Sequence, residues 1–153
     1  NMHPRVDIDG GCDNILTACD VGNLGEVLRF FTDDDKQFIN WMLNKSCRSG
    51  SISCAGFMLN HGAIPTFDTF KEVVRGNQVE LVKLILEYDI KAPWSDTYNI
   101  YNKGLGIAAS RGNIEMFELM LRLGADRDFK FALSEAKRWN KPEMVAHIHK
   151  YYV

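Results

Sequence analysis

The sequence lacks the features that mark several classes of protein. Its 153 residues hold no apolar run approaching the roughly 20 residues that a membrane-spanning helix requires. The first 14 residues lack the charged-then-apolar layout of a signal peptide. The formal net charge is −2 at pH 7, whereas nucleic-acid-binding domains usually carry a strongly basic surface. We therefore expect an intracellular protein, cytoplasmic or nuclear, whose partner is neither a membrane nor a nucleic acid.

Motifs for catalysis and for metal binding are missing as well. The four cysteines, Cys12, Cys19, Cys47 and Cys54, form no CxxC pair, so their spacing does not support a zinc site. Without a secretory segment we interpret them as reduced thiols. There is no Walker loop, GxSxG elbow, HExxH or GxGxxG motif. We expect no catalytic residue, no metal ligand and no cofactor, and the protein is not predicted to be an enzyme.

What the sequence does contain is a repeat. Five times, a stretch with small residues reaches a turn residue and continues into an apolar helix. The turn residues stand 28, 26, 36 and 28 residues apart: Gly22, Gly50, Gly76, Gly112 and Asn140. A period of this length indicates one two-helix unit used several times. Arrays of such units bind through extended surfaces, which favours a binding function over a buried catalytic pocket.

The repeats share a pattern around the turn. Glycine, with asparagine as second choice, suits a helix that ends in the left-handed conformation. Positions four and three before the turn carry mostly small residues, which let neighbouring helices approach closely. They are Ala18 and Cys19, Ser46 and Cys47, Glu72 and Val73, Ala108 and Ala109, and Ala136 and Lys137. The third repeat, with Glu72 and Val73, fits this pattern least well.

The fourth repeat resembles a known family. IAASRGNIEMFELMLRLGAD, at 107–126, is similar to the core of an ankyrin repeat, which typically runs A-A-x-x-G-x-x-E-x-V-x-x-L-L-x-x-G-A-D. FMLNHGA at 57–63 repeats the ending, and ILTACDVGNLGEVLRFF at 15–31 resembles an opening unit. The resemblance implies an all-α, ankyrin-like solenoid of about five helix-turn-helix repeats. Residues 1–12 are then an N-terminal extension and residues 13–153 a single domain.

The departures from the family point to divergent, shortened repeats. The Thr-Pro-Leu-His entry of the family is missing, and its best counterpart is KGLG at 103–106. Three of the four spacings are shorter than the usual repeat of about 33 residues. We therefore expect the β-hairpin fingers between repeats to be short or absent.

One connection is long instead of short. The segment 89–103 carries Trp94, Tyr98 and Tyr101 in an otherwise polar stretch. Insertions in repeat proteins often lie on the binding face, and aromatic rings bury a large area at low entropic cost. The segment is thus a candidate contact surface. The alternative is that Trp94 and Tyr101 fold back to cover the poorly matched third repeat.

In the ankyrin family the two residues before the turn tend to face the concave groove. Carried over by position, they are Asp20 and Val21, Arg48 and Ser49, Val74 and Arg75, Ser110 and Arg111, and Arg138 and Trp139. Four successive repeats thus each offer one arginine, and the last adds a tryptophan. This predicts a basic ladder suited to an acidic strip on a partner. The alternative is that the arginines only solvate the groove edge.

These observations predict a monomeric protein–protein interaction module: an adaptor, an inhibitor or a targeting subunit. Its partner would be another protein with an acidic surface, bound at the concave face and the 89–103 insertion. The predicted partner-binding residues are Arg48, Arg75, Trp94, Tyr98, Tyr101, Arg111, Arg138 and Trp139. The alternatives are an enzyme or metalloprotein built on a helical frame, or a structural arm of an oligomer.

Overall fold

A computed structural model describes residues 14–88, 90 and 99–153. These residues form ten α-helices and one 3-10 helix, and no strand. The helices are α1 Ile15–Val21, α2 Leu24–Phe30, α3 Ile39–Ser49, α4 Ile52–Asn60, α5 Phe67–Arg75, α6 Val79–Ile85, α7 Ile100–Arg111, α8 Ile114–Leu123, α9 Lys130–Arg138 and α10 Pro142–Tyr151, with the 3-10 helix at Asp33–Phe38. Within the described ranges no helix is long and apolar enough to cross a bilayer.

The chain divides into two compact units. Unit 1 falls within Asn1–Glu72 and Glu80–Lys91, and unit 2 within Val73–Val79 and Ala92–Val153. In unit 1, α1 contacts α2 and α3, and α3 contacts α4. In unit 2, α7 contacts α8 and α9, and α9 contacts α10. Each unit is therefore built from helical hairpins packed side by side, as the repeat predicts. The expected extension over residues 1–12 lies outside the described residues, and the single-domain boundary of 13–153 stays a prediction.

The first helix of every hairpin ends at a residue in the left-handed conformation, which we call the corner. The corners have φ of 71°, 79°, 56°, 73° and 55° at Gly22, Gly50, Asn77, Gly112 and Asn140. At each corner the backbone N–H donates to the carbonyl three residues earlier, and the following N–H donates to the carbonyl five residues before it. This is a Schellman motif, which satisfies carbonyls that a helix end leaves open. Five equivalent helix ends confirm that the chain repeats one unit.

The third corner lies one residue later than the sequence pattern indicates. Gly76 was the expected turn residue, but Asn77 has the positive φ. We call the positions four and three before a corner the close-packing positions. Counted back from Asn77 they are Val73 and Val74, both buried, in place of Glu72 and Val73. The poor fit of the third repeat was therefore an error of register. For the same reason Val74 does not face a groove, and the corresponding pair is Arg75 and Gly76.

The close-packing positions are buried in four of the five repeats. Ala18, Cys19, Ala108 and Ala109 are fully inaccessible to solvent, so the first helices of neighbouring hairpins meet over side chains of minimal size. In the fifth repeat Ala136 is buried. Lys137, the other member of that pair, is exposed.

Successive corners also lie against each other inside each unit. A Cβ added to Gly22 would stand 2.8 Å from the Cβ of Ser51, the residue that follows the next corner. A Cβ added to Gly112 would stand 3.1 Å from the Cδ of Lys141, which occupies the equivalent position in unit 2. Glycine is thus required at these sites for two reasons: φ is positive, and the neighbouring repeat leaves little room for a side chain.

The cores consist of apolar side chains from the second helices and the facing sides of the first helices. In unit 1, Leu43 and Met58 are completely buried. In unit 2, Met116, Phe117 and Met120 of α8 are completely buried. Burying one side chain of this size contributes about 1.5–3 kcal/mol, so each hairpin is held to its neighbour chiefly by apolar burial.

Two asparagines tie the loops between repeats to the first helices. The Asn40 side-chain carbonyl accepts the backbone N–H of Ile64 at 2.8 Å. In unit 2 the Asn102 carbonyl accepts the backbone N–H of Asp126 at 2.6 Å, and its amide donates to the Asp126 carboxylate at 2.8 Å. Both asparagines stand ten residues before a corner, and both acceptors serve the residue 24 positions later. These side-chain bonds fix the loops that follow α4 and α8 to the preceding first helices.

The connection before α7 ends earlier than the 89–103 segment predicts. Residues 100–103 already belong to α7, and the Asn99 side chain caps that helix by accepting the backbone N–H of Tyr101. Asn99 also donates to the carbonyl of Gly124 at 2.9 Å, so the start of α7 is fixed within unit 2. Trp94 and Tyr98 lie outside the described residues.

Candidate functional site

A cleft of about 500 Å³ brings together three of the residues that the sequence predicts to bind a partner. We call it the Arg111 cleft. Among the described residues, its lining includes six, all of which belong to unit 2: Arg75, Ser110, Arg111, Glu135, Trp139 and Lys141. Arg75, Arg111 and Trp139 were predicted from their positions beside the turns, whereas Lys141 and Glu135 were not.

The lining residues stand at or near the ends of helices. Arg75 closes α5, Ser110 and Arg111 close α7, and Trp139 and Lys141 lie on either side of the corner Asn140. Because every first helix ends in the same way, the repeat delivers one or two exposed side chains to equivalent places. The Ser110 hydroxyl donates to the carbonyl of Ile107 at 2.8 Å, so its proton is used inside its own helix.

Lys141 is held in the cleft by the glycine beside it. The methylenes of its side chain lie over the backbone of Gly112, with Cδ, Cγ and Cβ all within van der Waals reach of a hypothetical Cβ there. Lys141 is half-buried and lines the cleft. Lysine commonly buries its stem in this way while its charged end stays in water. The missing side chain at Gly112 thus places a cation beside Arg111.

Trp139 is the large apolar surface of the site. It is 54% exposed, although it stands directly after α9. The Arg138 guanidinium lies 5.5 Å from the centre of its ring, and the same arginine reaches Glu135 at 3.8 Å. An exposed ring beside charged groups resembles the composition of contact surfaces, where tryptophan and arginine are enriched.

Several cations line the Arg111 cleft. Among the described residues, its lining includes the cations Arg75, Arg111 and Lys141 and the carboxylate of Glu135. Low-dielectric walls strengthen the field of charges in a concave site. The electrostatics therefore favour an anionic group in the cleft.

The other predicted arginines are placed differently. Arg48 is exposed on unit 1, where its Nε lies 3.9 Å from a carboxylate oxygen of Glu72. Lys45 of the same helix donates to Asp20 at 3.0 Å. Charges on unit 1 are thus partly paired between neighbouring repeats. Arg138 contacts Trp139 but does not line the cleft.

Of the three aromatic residues predicted in the 89–103 segment, Tyr101 is the one that the structure describes. Tyr101 lies in the first turn of α7 and is half-buried. The predictions for Trp94 and Tyr98 fall outside the part of the chain that the structure describes and stay untested.

Two exposed aromatic residues were missed by the sequence reasoning. Trp41 on α3 is 48% exposed and Phe131 on α9 is 62% exposed. Each stands nine residues before its corner and seven before an arginine, Arg48 or Arg138, so each lies on the same helix face as that arginine. This helical spacing was visible in the sequence and could have revealed both. The Lys45 ammonium covers the Trp41 ring at 5.3 Å.

A second cluster of polar groups joins α8 to α10. One oxygen of the Glu118 carboxylate lies 2.6 Å from Nε2 of His147, and the Tyr152 hydroxyl donates to both oxygens at 2.8 and 2.6 Å. Burial raises the pKa of Glu118, but the hydrogen bonds from His147 and Tyr152 outweigh it, so the pKa is lowered overall. The cluster contributes a structural tie at the last repeat.

The described cysteines lie in surroundings that disfavour the thiolate form. Cys19, Cys47 and Cys54 are free and buried. Burial raises the thiol pKa to about 11 in Cys19 and to about 12 in Cys47, and it also raises the pKa of Cys54. Since the thiolate is the reactive and metal-binding form, these residues act as small apolar side chains. In residues 14–88, 90 and 99–153 no three His, Cys, Asp or Glu side chains are grouped so as to hold a metal ion.

Comparison with known structures establishes the fold. Matches are found to 128 chains of solved structures. One is the crystal structure of the human ASB11 ankyrin repeat domain, with a TM-score of 0.66 and 18% sequence identity over 89% of this chain and 67% of that chain. The fold is that of an ankyrin repeat domain. The ankyrin-like, all-α fold predicted from the sequence is thereby confirmed. No family model matches the sequence, and a search of curated proteins gives no match.

Proposed function

We propose that this ankyrin-like protein binds another protein through the Arg111 cleft. Ankyrin repeat folds typically serve as interaction scaffolds, and the partner would be an adaptor client, an inhibited enzyme or a targeted protein. The observation that carries the proposal is the convergence of Arg75, Arg111 and Lys141 beside an exposed Trp139. An anchoring aromatic next to several cations suits a partner that presents acidic side chains.

The rest of the predicted function follows from this role. The protein would bind its partner without catalysing a reaction, so we propose that it is not an enzyme. We propose further that it acts as a monomer inside the cell, where Cys19, Cys47 and Cys54 would remain thiols. The 89–103 segment would add contacts with the partner. Light scattering checks the monomeric state, and the expected mass in solution is that of one chain.

The test compares two double variants of the full chain. Arg111→Ala with Trp139→Ala removes the centre of the cleft, while Arg122→Ala with Tyr151→Ala removes an exposed arginine and an exposed aromatic residue from α8 and α10. Each protein is used for affinity capture from cell extract, and proteins bound by the wild type are purified and titrated against all three forms. We expect at least a tenfold loss of affinity only in the cleft variant, since central anchors contribute about 2 kcal/mol or more.

Equal affinity of the cleft variant and the wild type for every captured protein would exclude the Arg111 cleft as the binding site. Loss of affinity in both variants would point to a different surface of unit 2. Circular dichroism confirms that both variants are folded.

A further inference from the structure

A pocket of about 220 Å³ lies near the beginnings of α7 and α9 in unit 2. We call it the Phe131 pocket, and it shares no described lining residue with the Arg111 cleft. Leu105, Gly106 and Ala132, which are buried, contribute its apolar lining, and Phe131 adds an aromatic ring. Pockets that hold a drug-sized ligand have about 300–1,000 Å³, so this one suits a single side chain.

The Phe131 ring is placed by a glycine of the neighbouring repeat. A Cβ added to Gly106 would stand 2.7 Å from Cε2 and 3.3 Å from Cδ2 of the ring, so one edge of the ring lies close against α7. Phe131 is nevertheless 62% exposed. A ring that the fold already restricts loses less conformational entropy when a partner covers it. Phe131 therefore offers a preorganised aromatic contact.

Two carboxylates of the pocket lining, Asp126 and Asp128, have no cationic partner among the described residues. Asp126 accepts the Asn102 amide at 2.8 Å, and Asp128 accepts the backbone N–H two residues later at 3.2 Å, so neutral donors hold both in position. Arg127 stands between them in the sequence, but its guanidinium lies 5.7 Å from the centre of the Tyr152 ring. A carboxylate has lone pairs for further hydrogen bonds, and those with a cation are the strong ones.

Unit 1 contains a similar arrangement in which the chain provides its own cation. Trp41 stands nine residues before its corner, as Phe131 does, and the Lys45 ammonium lies 5.3 Å from the centre of the Trp41 ring. The same ammonium donates to the Asp20 carboxylate at 3.0 Å. In unit 2 the residue equivalent to Lys45, five before the corner, is Glu135. The group of ring, cation and carboxylate is thus complete in unit 1, whereas at the Phe131 pocket this position brings no cation.

We propose that the Phe131 pocket binds an arginine side chain of a partner protein. The guanidinium lies over the Phe131 ring and donates to the carboxylates of Asp126 and Asp128. Arginine fits better than lysine, because its planar guanidinium stacks on aromatic rings and its fixed pairs of N–H donors match carboxylates. This site is separate from the Arg111 cleft, so the inference goes beyond the binding function proposed above.

The experiment uses three peptide pools whose central residue is fixed as arginine, lysine or citrulline. The other positions are degenerate and contain no basic residue. Citrulline keeps the shape of arginine but is neutral. The full chain is immobilised, and retention of each pool is measured. We expect the arginine pool to be retained about tenfold more than the citrulline pool, because neutral citrulline forms neither the ion pair nor the cation–ring contact. The lysine pool should be retained less than the arginine pool.

Three single variants locate the bound arginine, and a fourth is the matched control. Phe131→Ala and Asp128→Asn should each lower retention of the arginine pool about two- to fivefold, the usual effect of one exposed cation–ring or ionic contact. Gly106→Ala should also lower it, because the added Cβ displaces the ring while every group that touches the arginine is kept. Trp41→Ala, at the equivalent place in unit 1, should leave retention unchanged, since Lys45 already covers that ring.

The remaining outcomes overturn the proposal. Equal retention of the arginine and citrulline pools would refute recognition of a guanidinium. Equal retention of the arginine and lysine pools would refute the assignment to arginine. A preference for arginine that survives both Phe131→Ala and Asp128→Asn, or is lost in Trp41→Ala, would place the arginine elsewhere on the chain. None of these results bears on the Arg111 cleft, which is tested with variants of other residues.

Discussion

At the scale of single residues, the corners decide where each repeat turns and how closely it approaches the next. Gly22 has a φ of 71° and no room for a side chain beside Ser51. Gly56, in the interior of α4, has ordinary helical backbone, and its nearest neighbour would lie 4.0 Å from an added Cβ. The two glycines therefore make a matched pair, one required by conformation and contact and the other required by neither.

Substituting this pair should produce opposite effects. Gly22→Ala should lower the free energy of unfolding by about 1–3 kcal/mol, which is the usual cost of forcing a side chain into a sparsely populated conformation. Gly56→Ala should raise it by about 0.5–1 kcal/mol, because alanine loses less backbone entropy in a helix. Urea unfolding followed by circular dichroism measures both. A neutral Gly22→Ala would show that the corner backbone can relax.

The residue scale is also where sequence reasoning failed. Gly76 and Asn77 are adjacent and both tolerate a left-handed backbone, so turn chemistry alone could not choose between them. Apolar burial selects Asn77 as the corner, because this register buries Val73 and Val74 together. Lys141 was missed since a residue after a turn carries no periodic signal, and its place depends on the contact with Gly112 in the neighbouring repeat.

At the scale of helices, the last hairpin is fastened by polar bonds as well as by apolar packing. Glu118 of α8 binds His147 of α10 and Tyr152, which follows α10. Phe117 packs near Phe129 and Tyr152 beside this cluster. The α10 helix contacts α9, and the His147–Glu118 bond ties it to α8.

The Glu118 tie should make stability depend on pH in the acidic range. The folded state lowers the pKa of Glu118 below its ordinary value of 4.5. A group with a lowered pKa stabilises the protein fully above the unfolded value, and the contribution is lost as pH falls through the lower folded value. We therefore expect the melting temperature to fall below about pH 4.5, with a shallower decline in Glu118→Gln. Scanning calorimetry across pH 3–7 measures both.

An acid profile that is the same for Glu118→Gln and the wild type would show that other carboxylates dominate. Asp20→Asn is a suitable control, because Asp20 is ion-paired with Lys45 in unit 1 and does not touch the cluster.

The element scale was the most predictable from sequence. Helical hairpins, small residues at their contact and the absence of fingers in the described loops all follow from the period and from the short spacings. The side-chain bonds of Asn40 and Asn102 to the next loop were not foreseen. An asparagine stands ten residues before the corner in only two of the five units, which is too few for a pattern to be recognised.

At the scale of the whole molecule, the described thiols report on the opening of unit 1. Cys19, Cys47 and Cys54 all lie there and are buried. With its pKa raised from 9.0 to about 12, Cys47 has roughly a thousandfold less thiolate at neutral pH than an unperturbed thiol. Alkylation of the native protein should therefore be slow and should accelerate in step with unfolding.

Site-resolved mass spectrometry after alkylation at increasing urea concentration tests this expectation. Arg29→Cys supplies a matched reference, because the Arg29 side chain is 66% exposed on the same unit and should label at once. If Cys47 were labelled without urea as fast as the reference thiol, unit 1 would expose this thiol under native conditions, and the expectation would be wrong.

The contact between successive corners separates two tasks that are often joined in one residue. The glycine of a corner serves folding, and the residue after the next corner lies over it with the first atoms of its side chain. Ser51 and Lys141 show that this place accepts either a neutral or a charged group. Ser51 also caps α4 by accepting the backbone N–H of Cys54, whereas the side chain of Lys141 makes no such cap for α10. Replacing Lys141 should therefore retune what its repeat attracts without changing how the repeat is built, so that the chemistry of recognition can diverge while the architecture stays the same.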